Sequence, residues 1–388
     1  MLKRVFNTIW LLTATIIVMC GCCKNNDDDP ANVIVNNRTV LVYMLADNDL
    51  GLFYNFDDSN IEAMCESFDG KVIDGHLLVF HADNDVLPCL KEISKPYADK
   101  PCEIKILRTY PSTVSTDTAT IQQVLNDVKL LAPSSHYGLI MWSHATGWLP
   151  QNKFYAPNRS SAPTSFGREG EEQLTMDIDV LAKAFDKLHY DFILFDACLM
   201  GCVEVAYELR NTCDRIIATA TETVGEGFPY RRITPLLFSK NIDYKAVCNH
   251  YYEQVSGADY YGGTISLINT RHLEQLAEAC RTVVQNKADE IANLNTRRIQ
   301  YFDRKSTHVF YDLGHYMLSL GGEELYPIVD NALTQVVEYK AATPSFINII
   351  ISKYCGLSCY IPYTANDEMV EEFYSRLQWS QQVYNTHQ

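Results

Sequence analysis

The chain has 388 residues, enough for two average domains or for one large α/β domain. Hydrophobic residues make up 47% and charged residues 21%, an ordinary globular balance that excludes a disordered chain, a collagen-like fibre and a multi-span membrane protein. A net charge of -16 argues against nucleic-acid binding, because phosphate contacts need a basic face.

The N-terminus has the layout of a secretory signal. Lys3 and Arg4 precede an apolar stretch over residues 9–19, and a polar tail follows from Lys24 to Asp29. The apolar stretch is shorter than the roughly 20 residues of a membrane span. Gly21 before Cys22 resembles a bacterial lipoprotein cleavage site, which would make Cys22 the lipidated terminus; an ordinary cleaved signal is the alternative. Cys20 and Cys23, preceded by Met19 and Cys22, fit that site less well. The run Asp27-Asp28-Asp29 resembles the acidic surface-export tag of Bacteroidetes lipoproteins, or is a plain solvated tether. The expected organisation is a signal over 1–21, a tether over 22–36, a catalytic unit over 37–240 and a C-terminal part, 241–388, packed on it.

The pattern then alternates between strands and helices. Residues 39–46 (TVLVYMLA) and 76–82 (HLLVFHA) read as buried strands, and 103–108 (EIKILR) alternates. Residues 118–131 have helical periodicity through Ile121, Val124, Leu125 and Val128, and Pro133 ends it. Residues 137–143 (YGLIMWS) form another strand. Residues 150–173 lose all periodicity and read as an exposed loop. A helix over 177–188, a short strand over 192–195, a helix over 200–210 and a strand over 215–220 follow. Further on, 264–268 is strand-like, 270–293 is helical, and 346–362 reads as strand, turn, strand around Gly356. Near-continuous apolar strands separated by helices predict a mostly parallel sheet covered on both faces.

Thirteen cysteines invite a disulfide or metal reading, since export permits disulfides. They are scattered and form no CxxC pair or dense Cys/His cluster, so a structural zinc site is not expected. Cys355 and Cys359 lie too far apart along one strand to pair. Asp47-Asn48-Asp49 and Asp83-Asn84-Asp85 do not match the calcium-loop spacing and read as Asx turns after strands. No G-x-S-x-G elbow, phosphate-binding loop or dinucleotide fingerprint is present.

Two segments carry chemistry. In LIMWSHATGW, residues 139–148, a strand runs into a loop holding His144. In FILFDACLMG, residues 192–201, a short strand ends at Asp196 and leads to Cys198. In an open parallel sheet, ligands bind beyond the carboxyl ends of the strands, so His144 and Cys198 are placed to face one crevice. A Cys at a helix N-terminus gains thiolate character, and a nearby His can move a proton. A buried Cys and an idle loop His would account for each residue taken singly.

The pair WSHATGW and FDACLMG resembles the His and Cys motifs of the clostripain-like cysteine peptidases, in the clan of caspases and gingipains. YMLADNDL at 43–50, FGREGEEQLTMDIDVLAKAF at 166–185, GEGFPY at 225–230 and GLSCYIPY at 356–363 agree with it. The resemblance implies a caspase-like α/β/α sandwich around a mostly parallel sheet, with a C-terminal elaboration. It implies a catalytic dyad, His144 and Cys198, with no required third member. The backbone N–H groups of Ala145 and Cys198 would hold the oxyanion. Asp196 matches an acid of the pocket for a basic P1 side chain, unless it is only a strand-terminal cap; Glu222 or Glu226 would be a second acid there. Substrates are then proteins or peptides with Arg or Lys at P1.

The family usually has Gly after the His. Here Ala145 stands there, and a left-handed backbone at that position would cost roughly 1 kcal/mol; Gly147 is placed to carry part of that conformation. A catalytically impaired binding lipoprotein is the alternative reading. Some relatives cut themselves between the two motifs, which makes Lys153, Arg159 and Arg168 candidate sites. No cofactor or metal is expected, but some relatives use calcium, which leaves that requirement open. Cys202, one turn past Cys198, would pack behind the site.

Overall fold

The computed structural model describes residues 38–68, 74–84, 86–95, 100–111, 114–150, 166–170, 174–185, 188–257 and 259–385. Cys22, the signal, the tether, Asp85, Lys153 and Arg159 lie outside them. Asn36–Gln388 cluster as one compact unit.

Its centre is a nine-stranded sheet. In chain order the strands are β1 (Arg38–Leu45), β2 (Gly75–Ala82), β3 (Cys89–Ser94), β4 (Glu103–Thr109), β5 (His136–Trp142), β6 (Phe192–Asp196), β7 (Arg215–Ala218), β8 (Thr264–Asn269) and β9 (Val337–Ala342). Across the sheet they run β9-β8-β7-β6-β5-β1-β2-β3-β4. The five central strands, β7 to β2, are parallel. Two antiparallel strands extend each side, β3 and β4 on one and β8 and β9 on the other. The segment after residue 240 thus contributes two strands to the main sheet.

The central strands are apolar on both faces because both are covered. In β1, Leu41, Tyr43 and Leu45 join one core, while Val40, Val42 and Met44 join the other. The first core also takes the helix Thr118–Leu131, whose Ile121, Val124, Leu125 and Val128 are buried. Asp117 caps that helix by accepting from the Ala119 N–H, and Ala132 ends it just before Pro133. The second core takes the helices Phe56–Ser67, Tyr230–Leu237 and Tyr244–Val255. Both faces are therefore helical, the sandwich that the alternation predicts. No described helix is long and apolar enough to cross a membrane.

Several boundaries differ from the sequence reading. The helix after Cys198 spans only Val203–Glu208, with Cys202 as its N-cap. Tertiary pairing overrides helical propensity before it: the Leu199 N–H donates to the Thr221 carbonyl and the Gly201 N–H to the Thr219 carbonyl. Residues 346–362 do not form a hairpin around Gly356. Ser345–Phe346 pairs with Ile349–Ile350, whereas Ser358–Cys359 pairs with Tyr311–Asp312. The helix expected over 270–293 is a 3-10 turn, Thr270–His272, then Leu273–Asn286 and a short Ala288–Ile291. Residues 166–170 are not an exposed loop: Phe166–Glu169 is a buried strand paired with Leu174–Met176. Cys65 and Cys102 form a disulfide, while Cys355 and Cys359 are buried thiols.

Candidate active site

Register builds the site. Met44 pairs with Trp142, and Trp142 pairs with Asp196, so β1, β5 and β6 end level with one another. His144 and Cys198 each lie two residues beyond the Trp142–Asp196 pair. They emerge at the carboxyl ends of adjacent parallel strands, where open α/β sheets bind ligands. Both line one cleft of about 320 Å³, together with Asp49, Ala145, Arg168, Asp196, Glu222, Thr223 and Arg304.

His144 is held from one side. Its Nε2 lies 2.7 Å from Oδ1 of Asp49, which also accepts from Nη1 of Arg168 at 3.0 Å. The hydrogen bond to His144, with the nearby Arg168 charge, lowers the Asp49 carboxyl below its ordinary range. Arg168 is buried in its strand and paired with this acid. That corrects its reading as an exposed cleavage site.

Cys198 sits in a loop cradled by the segment after β7. The Thr223 N–H donates to its sulfur at 3.3 Å, and the Thr223 hydroxyl donates to the Ala197 carbonyl at 3.0 Å. Leu199 beside it holds a left-handed backbone, with φ 62°, a conformation costing a side-chain-bearing residue roughly 1–2 kcal/mol. The expected thiolate at a helix N-terminus is not found, because the helix begins five residues later, at Val203. Burial, and next the Glu222 charge, push the Cys198 thiol up to about 12. Cys202 is not one turn along a shared helix but is a fully buried N-cap.

Asp196 is buried at the cleft base. Its Oδ2 accepts from the Tyr230 hydroxyl at 2.7 Å and the Phe228 N–H at 3.1 Å. Burial outweighs these donors and raises its carboxyl to about 6. Glu222 lines the cleft but is paired through both oxygens with Arg304, at 2.7 and 2.5 Å. Glu226 is exposed and is not part of the cleft wall. Ala145 is buried and has an ordinary backbone; the left-handed conformation falls on Gly147, with φ 61°. The strain foreseen for Ala145 does not arise.

The acids after β1 and β2 part company. Asn48 caps the short helix Asp49–Leu52 by accepting from the Leu50 N–H two residues on, as an Asx turn does, whereas Asp83 accepts from the adjacent Asn84 N–H. Asp57, His81 and Asp83 bring ligand atoms within 4.8 Å of one another. There Nε2 of His81 meets Asp57 at 2.8 Å and Nδ1 meets Nζ of Lys91 at 2.8 Å, so both ring nitrogens are engaged within the protein.

A model of the clostripain family matches residues 42–385. The chain belongs to the clostripain family. It is accordingly a cysteine protease with the caspase-like fold that its motifs imply. No curated protein matches it. Among solved structures, an inactive zymogen of a Parabacteroides distasonis protease shares 30% identity, with TM-score 0.76, over 90% of this clostripain-family chain and 98% of that one. A secreted cysteine protease from Bacteroides thetaiotaomicron, solved with an irreversible peptide inhibitor, shares 28% identity, with TM-score 0.77, over 89% and 99%. A clostripain from Bacteroides thetaiotaomicron in complex with the peptide inhibitor BTN-VLTK-AOMK shares 25% identity, with TM-score 0.50, over 56% and 98%.

Sequence reasoning missed Asp49, Arg168, Thr223 and Arg304 as cleft residues. Asp49 had a usable signal, an acid just past a buried strand. Arg304 had none, because it arrives from a segment more than 100 positions after Cys198.

Proposed function

We propose that this protein is an extracytoplasmic endopeptidase in which Cys198 is the nucleophile and His144 its base, cutting after Arg or Lys. The observation that carries this reading is the level ending of β5 and β6, with His144 and Cys198 on one cleft. The Cys198 sulfur attacks the carbonyl carbon of the cut bond while His144 takes the thiol proton. Burial raises that thiol, which favours a transfer that accompanies the attack. The C–N bond breaks and the leaving amine departs with that proton. Water then hydrolyses the thioester, releasing the acid and restoring the thiol. The backbone N–H groups of Ala145 and Cys198 are assigned to the developing oxyanion.

Basic P1 specificity is assigned to Asp196, a buried carboxylate suited to a guanidinium or ammonium group. The inhibitor held by the Bacteroides clostripain has a peptide ending in lysine, which supports the same preference. Glu222 contributes to that charge only as far as Arg304 leaves it free, and Glu226 is withdrawn from the pocket. For self-processing, burial of Arg168 leaves Lys153 and Arg159 as the candidate sites. The impaired-binder reading rested on Ala145, whose ordinary backbone removes its motive.

A panel of fluorogenic peptides with Arg, Lys, Asp, Asn and Leu at P1 tests this, with and without calcium. Activity is expected after Arg or Lys and should vanish in Cys198→Ala; full activity in that variant overturns the reading. Export and lipidation at Cys22 are proposed from the N-terminal pattern, supported by the secreted relative, and an acidic tether would then carry the enzyme on the cell surface. Mass spectrometry of the native N-terminus should find a lipidated Cys22, and an unmodified terminus further along defeats the anchor.

A further inference from the structure

We propose that Asp49 is a positioning residue for His144, so that a third side chain orients the reacting pair. The proposal rests on the peptidase reading above but makes a separate claim. Oδ1 of Asp49 stands 2.7 Å from Nε2 of His144. A carboxylate there is only an acceptor, so the imidazole must carry its hydrogen on Nε2. That leaves the Nδ1 lone pair as the base for the Cys198 thiol. The opposite tautomer would turn a donor toward the thiol and stop proton transfer.

Asp49 is itself fixed in place. It opens the short helix capped by Asn48, whose side-chain oxygen accepts from the Leu50 N–H at 3.0 Å. The Asn48 amide donates to the Leu45 carbonyl at 2.8 Å and the Arg168 carbonyl at 2.9 Å. Arg168 then returns its guanidinium to Oδ1 of Asp49 at 3.0 Å. The end of β1 and the strand Phe166–Glu169 thus clamp the acid from two sides. The Asp49 side chain keeps 37% exposure, so solvent screens its charge. Its contribution is expected to be ring orientation and tautomer.

The test is Asp49→Asn, which keeps the shape but can present a donor to Nε2, with Asp49→Glu as the conservative variant. A misplaced base costs on the order of 100-fold; kcat of Asp49→Asn should fall by about that factor while KM stays within about twofold. Asp49→Glu should recover part of the loss. Nitrogen NMR of His144 should show the ring proton on Nε2 in the parent and a shift toward Nδ1 in Asp49→Asn, a signature that mere loss of structure does not produce. Wild-type kcat in Asp49→Asn, or an unchanged tautomer, overturns the proposal. His144→Ala and Cys198→Ala serve as controls: activity surviving in either defeats the peptidase reading itself, whereas their inactivity beside an active Asp49→Asn defeats only the role of Asp49.

Discussion

The Tyr230 hydroxyl donates to Oδ2 of Asp196 at 2.7 Å, inside a site where burial still lifts that carboxyl to about 6. Below that pH the acid is neutral, and above it the cleft base carries the charge that would attract a basic side chain. Because kcat/KM reports the free enzyme, its value for Arg peptides should fall relative to Leu peptides as pH drops through about 6. Asp196→Asn should abolish this dependence and cost about 2–4 kcal/mol in kcat/KM for Arg. Tyr230→Phe removes a donor to the charged form and should move the midpoint upward. The stability effect has the opposite sense. The folded value lies above the ordinary one of about 3.9, so this group costs stability as pH rises between about 4 and about 6. A pH-independent Arg/Leu ratio would exclude Asp196 from recognition.

Glu222 is the second cause, after burial, of the raised Cys198 thiol, and Arg304 opposes it. Glu222→Gln should therefore speed alkylation of Cys198 by iodoacetamide at fixed pH. Arg304→Gln should slow it, because it leaves the Glu222 charge unpaired beside the sulfur. Mass spectrometry of the labelled peptide separates Cys198 from the buried thiols. Equal rates in both variants would show that the pair does not reach the sulfur.

Gly147 takes φ 61°, and a Cβ there would stand 2.6 Å from the Leu199 carbonyl oxygen. Gly147→Ala should lose roughly 1–2 kcal/mol through backbone strain alone, with more from the displaced Leu199. Since Leu199 adjoins Cys198, kcat should fall with stability. Ala145→Gly is the contrast. With no left-handed backbone to relieve, it should leave kcat unchanged. Denaturant midpoints and steady-state kinetics check both, and a large gain in kcat for Ala145→Gly would revive the impaired-enzyme reading.

The Cys65–Cys102 disulfide ties the helix Phe56–Ser67 to the segment entering β4 across a separation of 37 residues. By loop-closure entropy such a bond stabilises by about 4 kcal/mol. The double variant Cys65→Ala, Cys102→Ala should show that loss in urea, with activity kept when folded, because the bond lies away from the cleft. An unchanged midpoint would mean that the unfolded chain is not restrained by it.

The sequence alone determined the parallel core and the positions of His144 and Cys198 at one cleft. Strands buried on both faces read as unbroken apolar runs, as in β1 and β6. His144 and Cys198 follow two such runs directly, so chain position was enough to place them. The antiparallel additions were less legible: β3 was not read, and β9 follows a helix with no turn signal between them. Partners distant in the chain were decided by tertiary structure alone. Arg168 read as a loop residue until its strand met Asp49, because an ion pair 119 positions apart leaves no local pattern. Glu222 and Glu226 are equally acidic in sequence, yet only Glu222 lines the cleft. The helix after Cys198 begins late because Leu199 and Gly201 pair with Thr221 and Thr219. Local periodicity records which residues seek burial. Which backbone and which charge meet at the strand ends is fixed only when the sheet brings them together.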